Sequence, residues 1–564
     1  MKIRMSLDAL FCCGMLIFWT FTYQHHILFK EQLSLFLYTS DFLQPYMLRP
    51  GGWAACIGDF LAQFYINRWS GAFIQTLLMY AILKIAIHIL KKTGRKGVVL
   101  LRAIIPAMLL AVLQLDKAFM PGDALALICP FALTLLYMNI SRVMLRRILF
   151  AIAIVPVYLF SGAAATCCLY ITCALYELLF AKDKWKYLTP VWIVAAFCLP
   201  FAWQKVYLMA TDGLFDILAV PPVDSLKYVP RLLLIFLPLS IVAFRLIVIK
   251  IRNRRFILVT LLALLGCFFY LFSKGYNRLE EQKFGMFFAV SQSNWDKVLK
   301  ISDKIKETDH QAAFLTNLAL SMKNELPHKM FHYQQLDEHG LFLDRFWDEY
   351  VLRYGSYQYY HLGILNEAIR WIFDAAMAGQ PEMDFCSLTR LAAWNQENGY
   401  KDAADKYFDI LERTLMYRSW AKRQRHVSVP PREETSIPGA EFFVGGREPI
   451  ADMSWYYEYN PKNRMTLEYM LCCLLLKNDL DKFLQLFNLC YPRQSTIPQA
   501  YQEALVMIAS TGKISVKNYP IDNTLPARLL SFNQLVAKKN HAELQKQFGN
   551  TWWYYAWKIK NKIK

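Results

Sequence analysis

The sequence predicts an all-α protein in two parts. Residues 1–273 form a polytopic transmembrane helical bundle of about nine spans, and residues 274–564 form a soluble domain of paired helices. Three observations predict this division. Apolar runs long enough to cross roughly 30 Å of hydrocarbon recur through the first part and stop after Ser273. The first part holds 26 Lys/Arg against 11 Asp/Glu and the second 37 against 33, so the excess of a +19 chain belongs to the apolar part. In the second part, small and apolar residues return at helical spacing with an offset of 36 residues. Basic residues placed between hydrophobic runs mark cytoplasmic loops, which makes the bilayer the expected partner and sets nucleic acid aside.

In chain order the spans fall at about 7–27, 69–90, 98–115, 122–139, 144–160, 163–180, 188–206, 231–249 and 256–273. The first has a basic start, Lys2 and Arg4, and an apolar core, Leu7–Tyr23, with no small-x-small cleavage site after it. It therefore reads as an uncleaved helix. Residues 144–180 as one helix would exceed roughly 50 Å at about 1.5 Å per residue, so Ser161-Gly162 is taken as a break between two spans.

The loops agree with that count. Alternate connections read "KKTGRKG", "SRVMLRR", "AKDKWK" and "KIRNRR", while those between them, "DKAFMPGD" and "TDGLFDILAVPPVDSLK", carry acids. With the basic set inside, 19 of the 26 bases face the cytoplasm and 8 of the 11 acids face outward. The N-terminus is then cytoplasmic and the soluble part extracytoplasmic. Lys84, Arg102, Glu177 and Arg245 fall inside spans but near cytoplasmic ends, where long basic stems reach the interface. No ionisable residue sits at mid-bilayer, which argues against a proton-coupled pump.

Nine of the thirteen cysteines lie in the apolar part, without C-x-x-C or zinc spacing, and read as buried thiols. A disulfide from Cys490 to Cys472 or Cys473 stays open. In the soluble part, Gly363 aligns with Gly399, Ala368 with Ala404 and Ile372 with Phe408. This order resembles the inner half of a tetratricopeptide repeat, whose period is roughly 34 residues. Weaker copies stand at 291–301, 321–333 and 474–487. Stacked helix pairs of this kind build a concave surface suited to a protein partner. A loop-rich insertion, 428–464, interrupts the array. The ending "TWWYYAWKIKNKIK" suits either a membrane interface or a helix that caps the repeats.

The first outer loop, 28–68, contains "DFLQPYMLRPGGWAACIGDF". Its apolar residues predict two short surface helices separated at Pro50-Gly51-Gly52, with Asp41 and Asp59 at the outer interface. Asp41 follows Thr39-Ser40 and is placed to cap a helix beginning at Phe42. An N-in first helix, a long acidic first outer loop with paired helices, further spans and an outer soluble domain together resemble the GT-C class of membrane glycosyltransferases. Some of these also carry tetratricopeptide repeats. The resemblance implies inverting transfer of a sugar from a polyprenyl phosphate, with a first-loop carboxylate as general base, Asp41 or Asp59, of which Asp41 is preferred because it lies nearer the end of the first helix. It further implies that Asp116 and Asp123 bind a divalent metal or the acceptor, and that Arg49, Arg68, Lys205, Lys227 and Arg231 are available for the phosphate. The first two outer loops carry no Asp-x-Asp or Asp-Glu pair, so the likeness is one of layout.

The wording "LRPGGW…GDFLAQFY", with "YYHLGILNEAIRW" and "IPQAYQEAL" downstream, also resembles an uncharacterised family of bacterial polytopic membrane proteins over nearly the whole chain. That implies a bacterial inner-membrane location and no particular chemistry. Two functions are therefore expected in competition: an envelope glycosyltransferase whose repeats bind an acceptor or partner, and a non-catalytic membrane-anchored scaffold or assembly factor. Motifs of intramembrane proteases are missing.

Overall fold

The computed structural model describes residues 2–93, 99–218, 223–246, 254–345, 349–379, 383–428, 449–491 and 496–561. Among them there are helices and turns and no strand. The chain divides into two compact units, Met1–Arg278 with Ile410–Ala421, and Leu279–Asp409 with Lys422–Lys564.

The first unit is built from α1 (Lys2–Ile17), α2 (Gln24–Gln32), α3 (Ser40–Leu48), α4 (Gly52–Ala62), α5 (Arg68–Thr93), α6 (Val99–Leu113), α7 (Pro121–Asn139), α8 (Val143–Ile152), α9 (Ile154–Phe180), α10 (Val191–Trp203), α11 (Val229–Leu246) and α12 (Arg254–Gly275). Among the described residues, six stretches are long and apolar enough to cross a membrane: Arg68–Lys92, Pro121–Asn139, Ile154–Phe180, Lys184–Trp203, Asp224–Val242 and Leu258–Gly275. Asp8–Thr22 and Leu101–Leu113 are shorter apolar helices. Val191, Val194, Phe197 and Phe201 on α10, and Leu258, Val259, Leu262 and Phe269 on α12, are exposed. Helices apolar outside as well as inside are compatible with a lipid surround.

Small residues set the tightest packing. A Cβ on Gly58 of α4 would lie 2.2 Å from the backbone nitrogen of Gly122, at the start of α7. The two backbones touch only because neither carries a side chain. Gly162 is the second special position. Its φ of 78° and ψ of −179° interrupt α9, which makes Ile154–Phe180 two helical limbs. α8 folds back against the second limb. Tyr170 donates from its hydroxyl to the Phe150 carbonyl at 2.5 Å, and Arg147 donates to Glu177 at 2.5 Å. The break expected at Ser161-Gly162 is thus present, while the stretch expected as a span at 144–160 is α8 plus the first limb of α9.

Contacts sort the connections of this unit into two ends. At one end the Gly51 N–H donates to the Tyr158 carbonyl (3.2 Å), and the Trp203 indole donates to the Leu48 carbonyl (2.9 Å). The buried Lys30 ammonium at this end donates to the carbonyls of Gln114 and Phe119, each at 2.8 Å. At the other end Lys92 reaches the Met138 carbonyl (3.2 Å), Arg147 pairs with Asp183 (2.7 Å) and Lys84 pairs with Asp8 (2.7 Å). Lys84 is therefore held by a carboxylate rather than simply extended to the interface. Arg245 lies outside the described side chains.

The first loop forms the expected pair of helices, with Gly51 at φ 72° between them. Thr39, not Asp41, is the cap: its hydroxyl accepts the Phe42 N–H at 3.4 Å and the helix starts at Ser40. Ile410–Ala421 joins this unit through Tyr417, whose hydroxyl donates to Glu31 at 2.9 Å.

In the second unit one turn recurs. Among the described residues, Ser293, Asn324, Gly363, Gly399, Asn478 and Lys539 are left-handed, each at a helix end. The next residue's N–H returns to the carbonyl five positions back: Asn294 to Ala289, Glu325 to Leu320, Ile364 to Tyr359, Tyr400 to Asn395, Asp479 to Leu474 and Asn540 to Leu535, at 2.8–3.2 Å. In five of the six, the residues five and nine positions past the left-handed one are buried. These are Val298 and Ser302, Ala368 and Ile372, Ala404 and Phe408, Phe483 and Phe487, and Leu544 and Phe548. The 321–333 segment has the turn but exposes Lys329. The Lys539 copy has no glycine to announce it and went unnoticed in the sequence.

Of the insertion at 428–464, residues 429–448 lie outside the described residues, and Pro449–Tyr459 is helical rather than loop. No disulfide joins Cys490 to Cys472 or Cys473. The terminal aromatics are packed inside this unit. Trp552 donates from its indole to the Leu475 carbonyl (3.0 Å), Trp553 to that of Glu503 (2.8 Å), and the Tyr555 hydroxyl to that of Leu476 (2.9 Å).

Candidate functional site

At the first of the two ends, four pieces of chain enclose a cavity of about 220 Å³. The α3–α4 turn contributes Arg49 and Gly51, the start of α7 contributes Gly122 and Asp123, the Gly162 reversal contributes Ser161, and the segment after α10 contributes Tyr207 and Asp216. The glycine contacts described above bring these pieces so close. Gly51 itself stands 3.7 Å, measured from an added Cβ, from the Gly162 nitrogen.

Asp123 is held by the backbone N–H of Met120, donating at 2.9 Å, in the first turn of α7 where the helix dipole favours an anion. Arg49 is the one basic side chain of the lining among the described residues. Asp59 lies one turn beyond Ala55 of α4, partly buried, and accepts the Tyr46 hydroxyl at 2.8 Å. Burial pushes its carboxyl up to about 7. The Asp123 charge adds to the rise, whereas the Tyr46 hydrogen bond and Arg49 oppose it. Burial, then the Asp59 charge, pushes the Tyr46 phenol up, which keeps it a donor. The arrangement provides one guanidinium for an anionic group, two carboxylates facing it, and a third behind them poised near neutrality.

Of the residues expected from the sequence, Arg49 and Asp123 come together, with Asp59 close enough to be influenced by both. The others do not join them. Asp41 is exposed in the first turn of α3. Asp116 is buried and spends its oxygens on the N–H groups of Ala118 (2.9 Å) and Val223 (2.8 Å), bracing two connections. Arg68 donates to Gln24 at 2.7 Å and lies over the rings of Phe21 and Trp69. Lys205, Lys227 and Arg231 are exposed, Lys227 against the Tyr228 ring. No local spacing in the sequence links Asp216, Ser161 or Tyr207 to Arg49. Only the fold does.

A divalent metal does not fit this donor set. Asp116 is saturated by backbone donors, Asp123 is engaged by Met120, and no group of three His, Cys, Asp or Glu side chains gathers among the described residues.

The fold and the cavity define an all-α protein whose first unit carries six helices able to cross a membrane and a charged cavity at one end. The chain belongs to the DUF6057 family, a family of unknown function whose model matches residues 1–558. No curated protein and no solved structure matches it.

Proposed function

We propose that the protein is a GT-C-like glycosyltransferase of the bacterial inner membrane, with nine spans, a cytoplasmic N-terminus and its second unit outside. The observation that carries this is the meeting of Arg49, Asp123 and Asp216 in one cavity, at the end where the acid-bearing connections gather. A polyprenyl-phosphate sugar enters with its phosphate against Arg49. Asp123 takes the proton of an acceptor hydroxyl as that oxygen bonds to the anomeric carbon. The bond from that carbon to the phosphate oxygen breaks, and polyprenyl phosphate leaves with the electron pair and its charge beside Arg49. Asp216 faces the developing positive charge on the sugar ring. Asp59 and Tyr46 position Asp123 from behind. No step is assigned to a metal, nor to Asp41, Arg68, Asp116, Lys205, Lys227 or Arg231.

The recurring turn and its buried pair support a tetratricopeptide-like array in the second unit, which presents an acceptor or a partner. They equally favour a second reading, a scaffold whose membrane unit is only an anchor. One experiment separates the two. A deletion strain is complemented with wild type, Asp123→Asn or Arg49→Ala, and its surface glycans are compared. Transfer predicts an altered glycan restored by wild type and reduced roughly 100-fold or more in both variants. Full restoration by both variants leaves the scaffold. Unchanged glycans in the deletion strain remove the enzyme altogether.

A further inference from the structure

A second cavity, of about 320 Å³, lies wholly within the second unit, between the 331–335 segment and the last two helices. Its size is at the low end of the roughly 300–1,000 Å³ of small-molecule sites, enough for a single small ligand or one residue of a polymer. Its walls are aromatic, with Phe331, Tyr333 and Tyr554 among them. Its polar groups are amides, hydroxyls and the His332 imidazole, and among the described residues no carboxylate lines it. Lys558 supplies a full positive charge. Neither it nor the Gln545 side chain has a partner among the described residues. The Gln334 carbonyl accepts the Thr308 N–H at 3.4 Å, which leaves its amide N–H groups for a ligand.

The neighbouring charges leave this cation standing. Burial, then the Lys329 charge, holds the His332 imidazole below its ordinary range, so it is neutral at pH 7. Asp337 meets the His310 imidazole (3.0 Å) and Glu338 lies 3.8 Å from Lys477, so both carboxylates have partners other than Lys558. The lining at neutral pH therefore presents one positive charge, the rings of Phe331, Tyr333, Tyr554 and Tyr555, and the amides of Gln334 and Gln545, the Gln335 amide being spent on Asn317 and the Met330 carbonyl. A phosphate dianion would be left half compensated. A neutral ligand would leave a partly buried ammonium without an anion.

We propose that this cavity binds an acidic saccharide through a residue bearing one carboxylate. The carboxylate meets Lys558, the ring lies against Tyr554 or Tyr333, and the hydroxyls meet Gln334 and Gln545. The proposal deepens the reading of the protein as a glycosyltransferase by naming the class of acceptor its second unit holds. It rests on that reading only for the link between binding and transfer.

The test uses the full chain in detergent micelles and saturation-transfer NMR with three probes: a glucuronic-acid disaccharide, its glucose counterpart, and N-acetyl-alanyl-alanine, which offers a carboxylate without a sugar. The uronate is expected to bind, and glucose and the dipeptide to bind at least about tenfold more weakly. Lys558→Met should weaken the uronate about tenfold or more, and Lys558→Arg should recover part of that loss. Gln545→Ala gives an independent smaller loss should Lys558→Met disturb the fold, which melting would reveal. Equal binding of glucose, preference for the dipeptide, no uronate binding to wild type, or uronate binding untouched by both Lys558→Met and Gln545→Ala overturns the proposal. Asp123→Asn separates the two ideas: uronate binding persists in it whether or not transfer is lost.

Discussion

Asp59 in the first unit and Glu503 in the second are both pushed up to about 7 by burial, yet their surroundings differ. Glu503 spends both oxygens inside the unit. One accepts the Gln499 amide and the other the backbone N–H of Trp552, each at 2.7 Å, and Glu503 lines neither of the two cavities described above. Asp59 accepts the Tyr46 hydroxyl and stands behind a cavity shared by Arg49 and Asp123. The perturbed acidity is the same, and only the cavity distinguishes a site from an internal brace. The units differ in packing as well. The first depends on two backbones that touch at glycines, the second on a turn repeated with different residues and a constant buried pair.

The largest effect expected from that contrast falls on the first unit. Gly58→Val would drive side-chain atoms into the Gly122 backbone, which cannot retreat as a flexible side chain could. Overpacking ordinarily costs about 1–3 kcal/mol, and a backbone clash exceeds that. Size-exclusion chromatography of a fluorescent fusion should show the folded peak all but lost, and a normal peak would refute the close approach.

Next comes the buried pair of the second unit, Arg353 with Asp384. Asp384→Ala takes the carboxylate from the buried guanidinium and removes the cap that accepts the Ser387 N–H at 2.7 Å. A loss of about 3–5 kcal/mol is expected in thermal unfolding of the full chain.

The acidic pair sharpens the comparison through pH. An acid that titrates higher in the folded chain holds its proton more tightly when folded. Its stability contribution is therefore greatest below its ordinary value of 4.5 and declines until about 7, then levels. For Glu503 the decline is on the order of 3 kcal/mol. Glu503→Gln, which keeps the acceptor for Trp552, should flatten the dependence in tryptophan-fluorescence melts without changing surface glycans. Asp59→Asn should flatten it in the same direction but weaken the glycan phenotype. Identical behaviour of the two variants would erase the distinction drawn here.

The smallest effects test the repeated turn. Gly399→Ala meets no atom within 4 Å, so its cost is the left-handed backbone alone, about 1 kcal/mol. Lys539→Gly at the equivalent place should stabilise by up to about 1 kcal/mol. Melting temperatures moving in opposite directions would confirm that the turns are equivalent.

Composition and spacing by themselves determined that the protein is helical, that its first part carries apolar helices, where the Pro50-Gly51-Gly52 and Ser161-Gly162 interruptions fall, and that Gly363 and Gly399 occupy matching places. These are local properties: a hydrophobic run or a glycine at a helix end constrains its own few residues whatever surrounds them. Tertiary structure alone decided that Asp123 faces a cavity while Asp116 braces a turn, that Asp216 stands near Arg49, and that the terminal tryptophans are buried. Carboxylates of one type in similar loops differ only in which distant backbone donors reach them. Asp116 and Asp123 each take a nearby N–H, from Ala118 and Met120; the distant donor, Val223 on Asp116, follows from how the helices pack, through contacts such as Gly58 on Gly122.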